Sequence, residues 1–387
     1  MNLTQSSRKK SDGWILKAVT MVNNRPKILF INVLQSRHGS TYRSRNLSHL
    51  LSQHNSVYYI EPNYRNNGAV SFKQKDSLVG LLSSLFKYLL LSLKMDFDIL
   101  YLQKPWLITL PSLVAAKVRG KKVIIDFDDL DSRWQKNWFN KKMTAFGEQI
   151  MPRYADIITT HNSYLQHYLE SLYRKRIFFV PQGVDTALFD PSRFDAALEK
   201  KKLKLTDKIV YCFLGSFTIG SAKDLHYILK AYAQVSRKIH NCCFIIIGGG
   251  GPLESYYRNL IKDLDLKDVL ITGRLEQNDV ARFLSIADYG LVYMEDNTEN
   301  MMRFSFKVME YLAMRITVIG HLVGATRDVF GKYCFLCDPD VDSFARKIID
   351  VTEKNLKGTN AREFLVGHYD WNVVEQYLNQ AIESLKT

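Results

Sequence analysis

The stretch Arg303-Phe304-Ser305-Phe306-Lys307-Val308-Met309-Glu310-Tyr311-Leu312-Ala313-Met314-Arg315-Ile316-Thr317-Val318-Ile319-Gly320 reads as a helix that runs straight into a β-branched strand. Lys307 and Glu310 stand three residues apart on its first turns, which places them on one helical face. A helix N-terminus carries unpaired backbone N–H groups and the positive end of the dipole, so it suits a phosphate, while a carboxylate one turn later can accept hydrogen bonds from sugar hydroxyls. A nucleotide-sugar needs both. The same pair also fits the solvated face of an amphipathic helix whose Val308, Met309, Tyr311 and Leu312 are core.

Phe304-Ser305-Phe306-Lys307 followed by Glu310-Tyr311-Leu312-Ala313 resembles the motif of family 4 glycosyltransferases of the GT-B fold. Val180-Pro181-Gln182-Gly183-Val184-Asp185 with Phe189-Asp190-Pro191 is similar to the family's interdomain segment. The strand and glycine turn Phe244 to Pro252, the strand end Ile271-Thr272-Gly273-Arg274-Leu275, the strand Ala287 to Val292 and Tyr369-Asp370-Trp371 match its later landmarks. Order and spacing from Val180 to Trp371 make the likeness specific; before Val180 it is looser.

Two successive sets of apolar, β-rich runs alternate with helical patterns on either side of Asp185, which predicts parallel sheets wound with helices. The first set is Lys27 to Leu34, Ser56 to Ile60, Asp98 to Leu102, Lys122 to Phe127, Ile157 to Thr160 and Ile177 to Val180. The second is Ile209 to Leu214, Cys242 to Ile247, Val269 to Thr272, Gly290 to Met294, Ile316 to Ile319 and Tyr333 to Leu336. The expected fold is α/β, two Rossmann-like domains facing a central cleft. The expected divisions are an N-terminal tail over 1–24, an acceptor domain over 25–184, a nucleotide-sugar domain over 185–368 and a closing helix over 369–387 that packs back toward the first domain. Ligands of such sheets sit beyond the carboxyl ends of the strands, so the cleft is the expected site.

The chain's net charge of +14 is unevenly spread. Residues 1–184 hold 27 lysines and arginines against 12 acids, and residues 185–387 hold 26 against 27. A field of this kind concentrates anions and bears on partners rather than on fold. An anionic membrane surface is the expected partner of the basic half, with nucleic acid a minor alternative because neither an RNA-recognition motif nor zinc-finger spacing accompanies the charge. Leu78 to Met95 is rich in leucine yet interrupted by serines and lysines; its apolar residues cover nearly all sides of a helix, so it fits either burial or membrane-surface contact. The N-terminal cluster Arg8-Lys9-Lys10 precedes an apolar run too short for a signal peptide. Five cysteines within or beside strand-like runs, with a lone Cys334-x-x-Cys337, read as buried free thiols of a reducing compartment. The expected location is the cytoplasm, peripheral on the inner face of the membrane.

The resemblance implies a transfer of sugar from a nucleotide diphosphate-sugar to a lipid-linked or polysaccharide acceptor in cell-surface glycan synthesis, with retention and with no cofactor or metal. It places Lys223 where a lysine neutralises the departing diphosphate, a catalytic role because negative charge grows there. The family's arginine five residues earlier is Thr218 here, and Arg303 or Lys307 is expected to supply the charge. Glu310 matches the glutamate that holds ribose hydroxyls; its usual acidic partner is Met302 here, leaving Ser305, Phe306 and the backbone around Arg303 to hold the sugar. Gly215, Gly273 and Arg274 fall on the donor side. Arg37, His38 and Gly39 resemble the flexible loop that approaches donor and acceptor from the first domain. Asp128, where relatives carry a histidine, and Asp129 are expected to orient or deprotonate the acceptor; Asp126-x-Asp128 also has a metal-binding spacing, and Asp131 reads as a helix cap. Met302 and Thr218 leave room for an alternative, an inactive relative that binds a sugar nucleotide or scaffolds a complex.

Overall fold

Strands covered by helices on both faces have no solvent side, so they are continuous apolar runs rather than alternating ones. The structure, a computed structural model, describes residues 25–34, 40–63, 69–72, 74, 77–135 and 137–385. In its first half β1 (Lys27–Asn32), β2 (Ser56–Ile60), β3 (Ala69–Val70), β4 (Ile99–Gln103), β5 (Lys122–Phe127), β6 (Ile157–Thr160) and β7 (Ile177–Phe179) form a parallel sheet in the order 3-2-1-4-5-6-7. In the second, β8 (Ile209–Leu214), β9 (Cys242–Ile247), β10 (Val269–Ile271), β11 (Tyr289–Tyr293), β12 (Thr317–His321) and β13 (Phe335–Leu336) form another in the order 10-9-8-11-12-13. Both are doubly wound, and the direction of winding reverses between β1 and β4 and again between β8 and β11. The two switch points define where a ligand crevice opens.

The expected strands are all present and several ends shift, β1 stopping at Asn32 rather than Leu34 and β12 running to His321 rather than Ile319. The short strand β3 was not anticipated, and β13 begins two residues later because Gly331–Tyr333 closes into a 3-10 turn.

Side chains of β1 alternate between the two faces of its sheet, as a period of two requires. Leu29 and Ile31 pack beneath α2 (Leu78–Lys94), α3 (Leu110–Val118) and α6 (Ser163–Leu172), which follow α1 (Ser40–His54) along the chain with α4 (Asp131–Trp134) and α5 (Trp138–Ile150) between them. Ile28 and Phe30 pack beneath α1 and the last helix, Trp371–Glu383, which supplies Val374 and Leu378. That helix returns from the second half to the first: Val184 N donates to Tyr369 O at 2.8 Å, and the Asp370 carboxylate accepts from Thr186 N and Oγ1 at 3.2 and 2.5 Å. Gly183 is required at this junction, since a Cβ there would collide with the Trp371 ring.

The leucine-rich stretch is a helix that is not fully buried. Helix α2 buries Ser84, Tyr88, Leu91 and Ser92 and exposes Val79, Leu82 and Phe86. Of the cysteines, Cys212, Cys242 and Cys243 are buried, whereas Cys334 and Cys337 are half-buried. Burial pushes the Cys334 and Cys337 thiols up to about 12, which leaves them unreactive at neutral pH.

Candidate active site

Beyond β8 the chain passes Gly215 and forms the short helix Ile219–Ala222, with Thr218 at its N-terminal boundary. The glycine run after β9 holds this loop in place. Gly248, Gly249, Gly250 and Gly251 all have positive φ (126°, 128°, 70° and 114°), and Gly250 O accepts from Phe217 N at 2.9 Å. A Cβ on Gly251 would lie 2.8 Å from Phe217 O, so the run is there for close backbone approach.

Three cations gather around that short helix. The Arg303 guanidinium donates to Gly220 O, and Lys307 Nζ donates to Ser221 O at 3.0 Å. Lys223 follows directly in the chain, its Nζ 3.8 Å from Glu295 Oε2. Lys223 Nζ also lies 4.9 Å from the centre of the Trp134 ring, and Arg303 Cζ lies 5.7 Å from the same ring. Trp134 ends α4, so a first-domain indole faces second-domain cations across the crevice.

Thr218 immediately precedes the short helix, whose Gly220 and Ser221 carbonyls are held by Arg303 and Lys307.

The helix Phe306–Ala313 enters with Ser305 making no side-chain cap, and Val308, Met309, Tyr311 and Leu312 are buried as the pattern predicts. Tyr311 anchors it to the end of β8, its hydroxyl accepting from Leu214 N at 2.7 Å. Lys307 and Glu310 lie half-buried on the opposite side. Burial and the Arg303 charge push the Lys307 ammonium down to about 7, with Asp224 and Glu310 opposing. Burial pushes the Glu310 carboxyl up to about 7, with Lys307 opposing, and its carboxylate has no hydrogen-bond partner among the described residues. From α1, Tyr42 comes near enough that, after burial, Glu310 helps raise its phenol.

The acidic cluster after β5 divides by partner. Asp126 is held by the fully buried Arg43, at 3.0 and 3.1 Å, and by Thr159 Oγ1 at 2.6 Å. Asp128 pairs with Lys104 Nζ at 2.5 Å. Asp131 caps nothing; it accepts from Lys104 Nζ at 2.9 Å and Trp106 Nε1 at 2.8 Å. Asp126 and Asp128 are thus occupied by cationic side chains rather than arranged as a metal pair. Asp129 alone has no hydrogen-bond or ion partner among the described residues. Burial, opposed by Lys104 and reinforced by Asp128 and Asp131, raises its carboxyl well above the ordinary range.

Other predicted positions scatter. Gly273 has φ of 75° with open space where a Cβ would stand, whereas Arg274 is exposed and has no partner among the described residues. Of the backbone N–H groups expected to hold a sugar, Arg303 N donates to Asn300 O at 3.2 Å and Ser305 N to Thr326 Oγ1 at 3.1 Å; Phe306 is half-buried against the core. Met302 packs against the first-domain core, and Asn162 Nδ2 reaches Met301 O at 3.4 Å. Apolar contact between the domains is thus made by Met302, at the position the resemblance gives to the family's usual acid. Arg37, His38 and Gly39 lie outside the described residues.

Sequence reasoning missed Trp134, Arg43, Lys104 and His161. His161 is buried at the end of β6, 6.2 Å from the Phe304 ring centre, with its Nδ1 unpartnered. Burial and the Arg43 charge push its imidazole down to about 4, so it is neutral at pH 7. Only Lys104 had a usable signal, since Gln103-Lys104-Pro105 ends a buried strand.

Residues 195–364 match the family model described as glycosyl transferases group 1. Over 93% of this chain and 100% of the other, the fold superposes on HepE of Anabaena in complex with UDP and glucose, with a TM-score of 0.75 at 14% identity. The chain has the GT-B fold. The sucrose-phosphate synthase of Thermosynechococcus elongatus shares this GT-B fold with a TM-score of 0.74 at 16% identity, over 93% of this chain and 99% of that one. In sequence, TuaH of Bacillus subtilis, named for a glycosyltransferase role in teichuronic acid biosynthesis, is 24% identical over 247 residues. That match takes in 60% of this chain and 58% of TuaH, less than two thirds of its length.

Proposed function

We propose that the protein is a retaining glycosyltransferase that transfers a sugar from a nucleotide diphosphate-sugar to a lipid-linked or polysaccharide acceptor in cell-surface glycan synthesis, without a metal or other cofactor. It would work in the cytoplasm, peripheral on the inner face of the membrane. The observation that carries this reading is the convergence of Lys223, Arg303 and Lys307 on one turn at the switch point of the second sheet, with the unpartnered Glu310 carboxylate one helical turn away. The cations suit a diphosphate, and the carboxylate suits ribose hydroxyls. HepE binding UDP and glucose supports testing uridine donors first.

In the step itself, the acceptor oxygen bonds to the anomeric carbon on the face that the diphosphate leaves. The carbon–oxygen bond to the diphosphate breaks, its electron pair goes to the leaving oxygen, and the hydroxyl proton passes to that oxygen. Lys223 and Arg303 hold the charge that grows there. Asp129 is better suited than Asp128 to orient the acceptor, because Asp128 is engaged by Lys104.

Thermal-shift screening against uridine, guanosine and adenosine diphosphates and their sugars tests the proposal, since a ligand of the native state raises its stability according to affinity. No shift with any of them, and no donor hydrolysis, would overturn it. A shift without transfer or hydrolysis would favour the second reading, an inactive binder, which the apolar Met302 contact motivates.

Two predictions follow from the site. Glu310→Ala weakens donor binding about 10- to 100-fold, the worth of a hydrogen bond to a charged group, and calorimetry reads it directly. Donor affinity is bell-shaped in pH with a maximum near 7. Raising pH through about 7 removes the Lys307 proton that a diphosphate needs, and lowering it through about 7 protonates Glu310. Lys307→Met should flatten the alkaline limb and Glu310→Gln the acid limb; a profile with both limbs intact in both variants would refute the assignment.

A further inference from the structure

We infer that α5, with the outer face of α2, is the surface on which this protein docks to an anionic lipid bilayer. Every residue from Asn137 to Met143 is exposed. A helix lying along a protein body buries one residue in every three or four, so this run means that nearly two turns of α5 stand clear of it. Those turns are not polar. Trp138 is 67% exposed and Phe139 60%, followed by Lys141, Lys142 and Met143, with Phe146 also exposed one turn on. Lys142 Nζ lies 4.3 Å from the centre of the Trp138 ring.

Helix α2 repeats the inversion, with Val79 77% and Phe86 60% exposed while Ser84 and Ser92 are buried. Both helices touch the 3-10 turn Leu107–Thr109, which joins them on the first domain.

Charge selects the occupant. Large apolar and aromatic side chains interleaved with lysines are the composition of an interfacial helix, and the basic excess of residues 1–184 favours an anionic surface. A phosphate backbone alone would leave Trp138, Phe139 and Met143 unused. The position is also suited to an acceptor delivered from a membrane. Helix α4 leads into α5 and carries Trp134 at the crevice, and Arg133 Nη1 lies 3.9 Å from Glu299 of the second domain. Between α5 and α6 a cavity of about 220 Å³ is lined by Arg133, Lys141 and the buried Glu148. The docking surface deepens the peripheral membrane location of the proposed function, on which the link to an acceptor also rests.

The test is co-sedimentation of the full chain with phosphatidylcholine vesicles and with vesicles containing phosphatidylglycerol, without nucleotide, alongside tryptophan emission. Binding to the anionic vesicles with a blue shift is expected, and none to phosphatidylcholine. Lys141→Ala with Lys142→Ala weakens binding about 30-fold, at roughly a tenfold loss per 1.4 kcal/mol and about 1 kcal/mol per lysine near an anionic surface. Trp138→Ser with Phe139→Ser weakens it about tenfold or more, and Val79→Ser with Phe86→Ser produces a smaller loss. These side chains are exposed, so the variants keep the parent melting temperature.

Equal binding to both vesicle types, or anionic binding unchanged by the α5 variants, overturns the proposal. So does salt-sensitive RNA binding without vesicle binding, or a dimer that the Trp138 and Phe139 changes dissociate. Thermal shifts with uridine diphosphate on the same samples separate this outcome from failure of the nucleotide-sugar reading.

Discussion

Lys223→Ala is expected to cut the rate of sugar transfer about 10²- to 10³-fold, the usual loss when a group stabilising transition-state charge is removed. The donor should bind nearly as before. Lys223 Nζ is only loosely held by its neighbours, 3.8 Å from Glu295 Oε2 and 4.9 Å from the Trp134 ring centre, so it is available to a departing diphosphate. Its attraction for that group grows as the glycosidic bond breaks, and an interaction stronger in the transition state than in the ground state appears in kcat rather than in KM. Lys223→Arg, which keeps the charge, should recover part of the rate. Arg303→Ala should also be slow, and it should weaken binding more, because Arg303 additionally braces Gly220 O. A Lys223→Ala protein with at least half the parent kcat would remove the ammonium from the mechanism.

Arg43→Ala should destabilise the protein by about 3–5 kcal/mol, the range for breaking a buried ion pair from one side. Arg43 joins three parts of the chain. From α1 it grips the Asp126 carboxylate at the end of β5, and it donates to Val180 O at 3.0 Å and Pro181 O at 3.1 Å, where the chain leaves the first domain. Burial alone would push the Asp126 carboxyl up, but the Arg43 charge and hydrogen bonds, with that of Thr159, hold it below its ordinary value. The folded protein therefore gains stability as pH rises through the depressed pKa toward the unfolded value, about 4, and keeps it above.

Without Arg43 the sign reverses. The buried carboxyl keeps its proton to higher pH than the unfolded chain does, so the variant loses stability as pH rises above about 4. Urea unfolding at pH 5 and pH 8 should show a larger deficit at pH 8. Adding Asp126→Ala should recover part of it, since two neighbours in one network are not additive. Equal deficits at the two pH values, or none, would show that the pair contributes little.

The strands were readable because burial on both faces makes a parallel strand a continuous run such as Cys242–Ile247 or Ile209–Leu214, and that run needs no knowledge of its neighbours. The helix at Phe306–Ala313 was readable for a related reason. Its buried Val308, Met309, Tyr311 and Leu312 leave Lys307 and Glu310 on one side through helical periodicity alone. Polarity alone did not place α2, because the helix buries Ser84 and Ser92 and turns Val79 and Phe86 outward.

What remained hidden was partnership. Arg43 stands among Tyr42, Ser44 and Arg45 and looks like a solvated stripe of a helix, yet it is fully buried because β5 and the segment after β7 bring Asp126 and the carbonyls of Val180 and Pro181 around it. Asp128 and Asp129 are adjacent and chemically identical, but Lys104 arrives from the end of β4 and pairs with only one of them. Periodicity records which side of an element is buried, and this much the chain's order of residues dictated: two wound sheets and a basic and acidic pair on one helix. The meeting of Lys223, Arg303 and Lys307 with Trp134 was decided only by the folded molecule. Charges act over a few ångströms, and which groups come that close depends on strand order and on how two domains face each other, neither of which has a local signature.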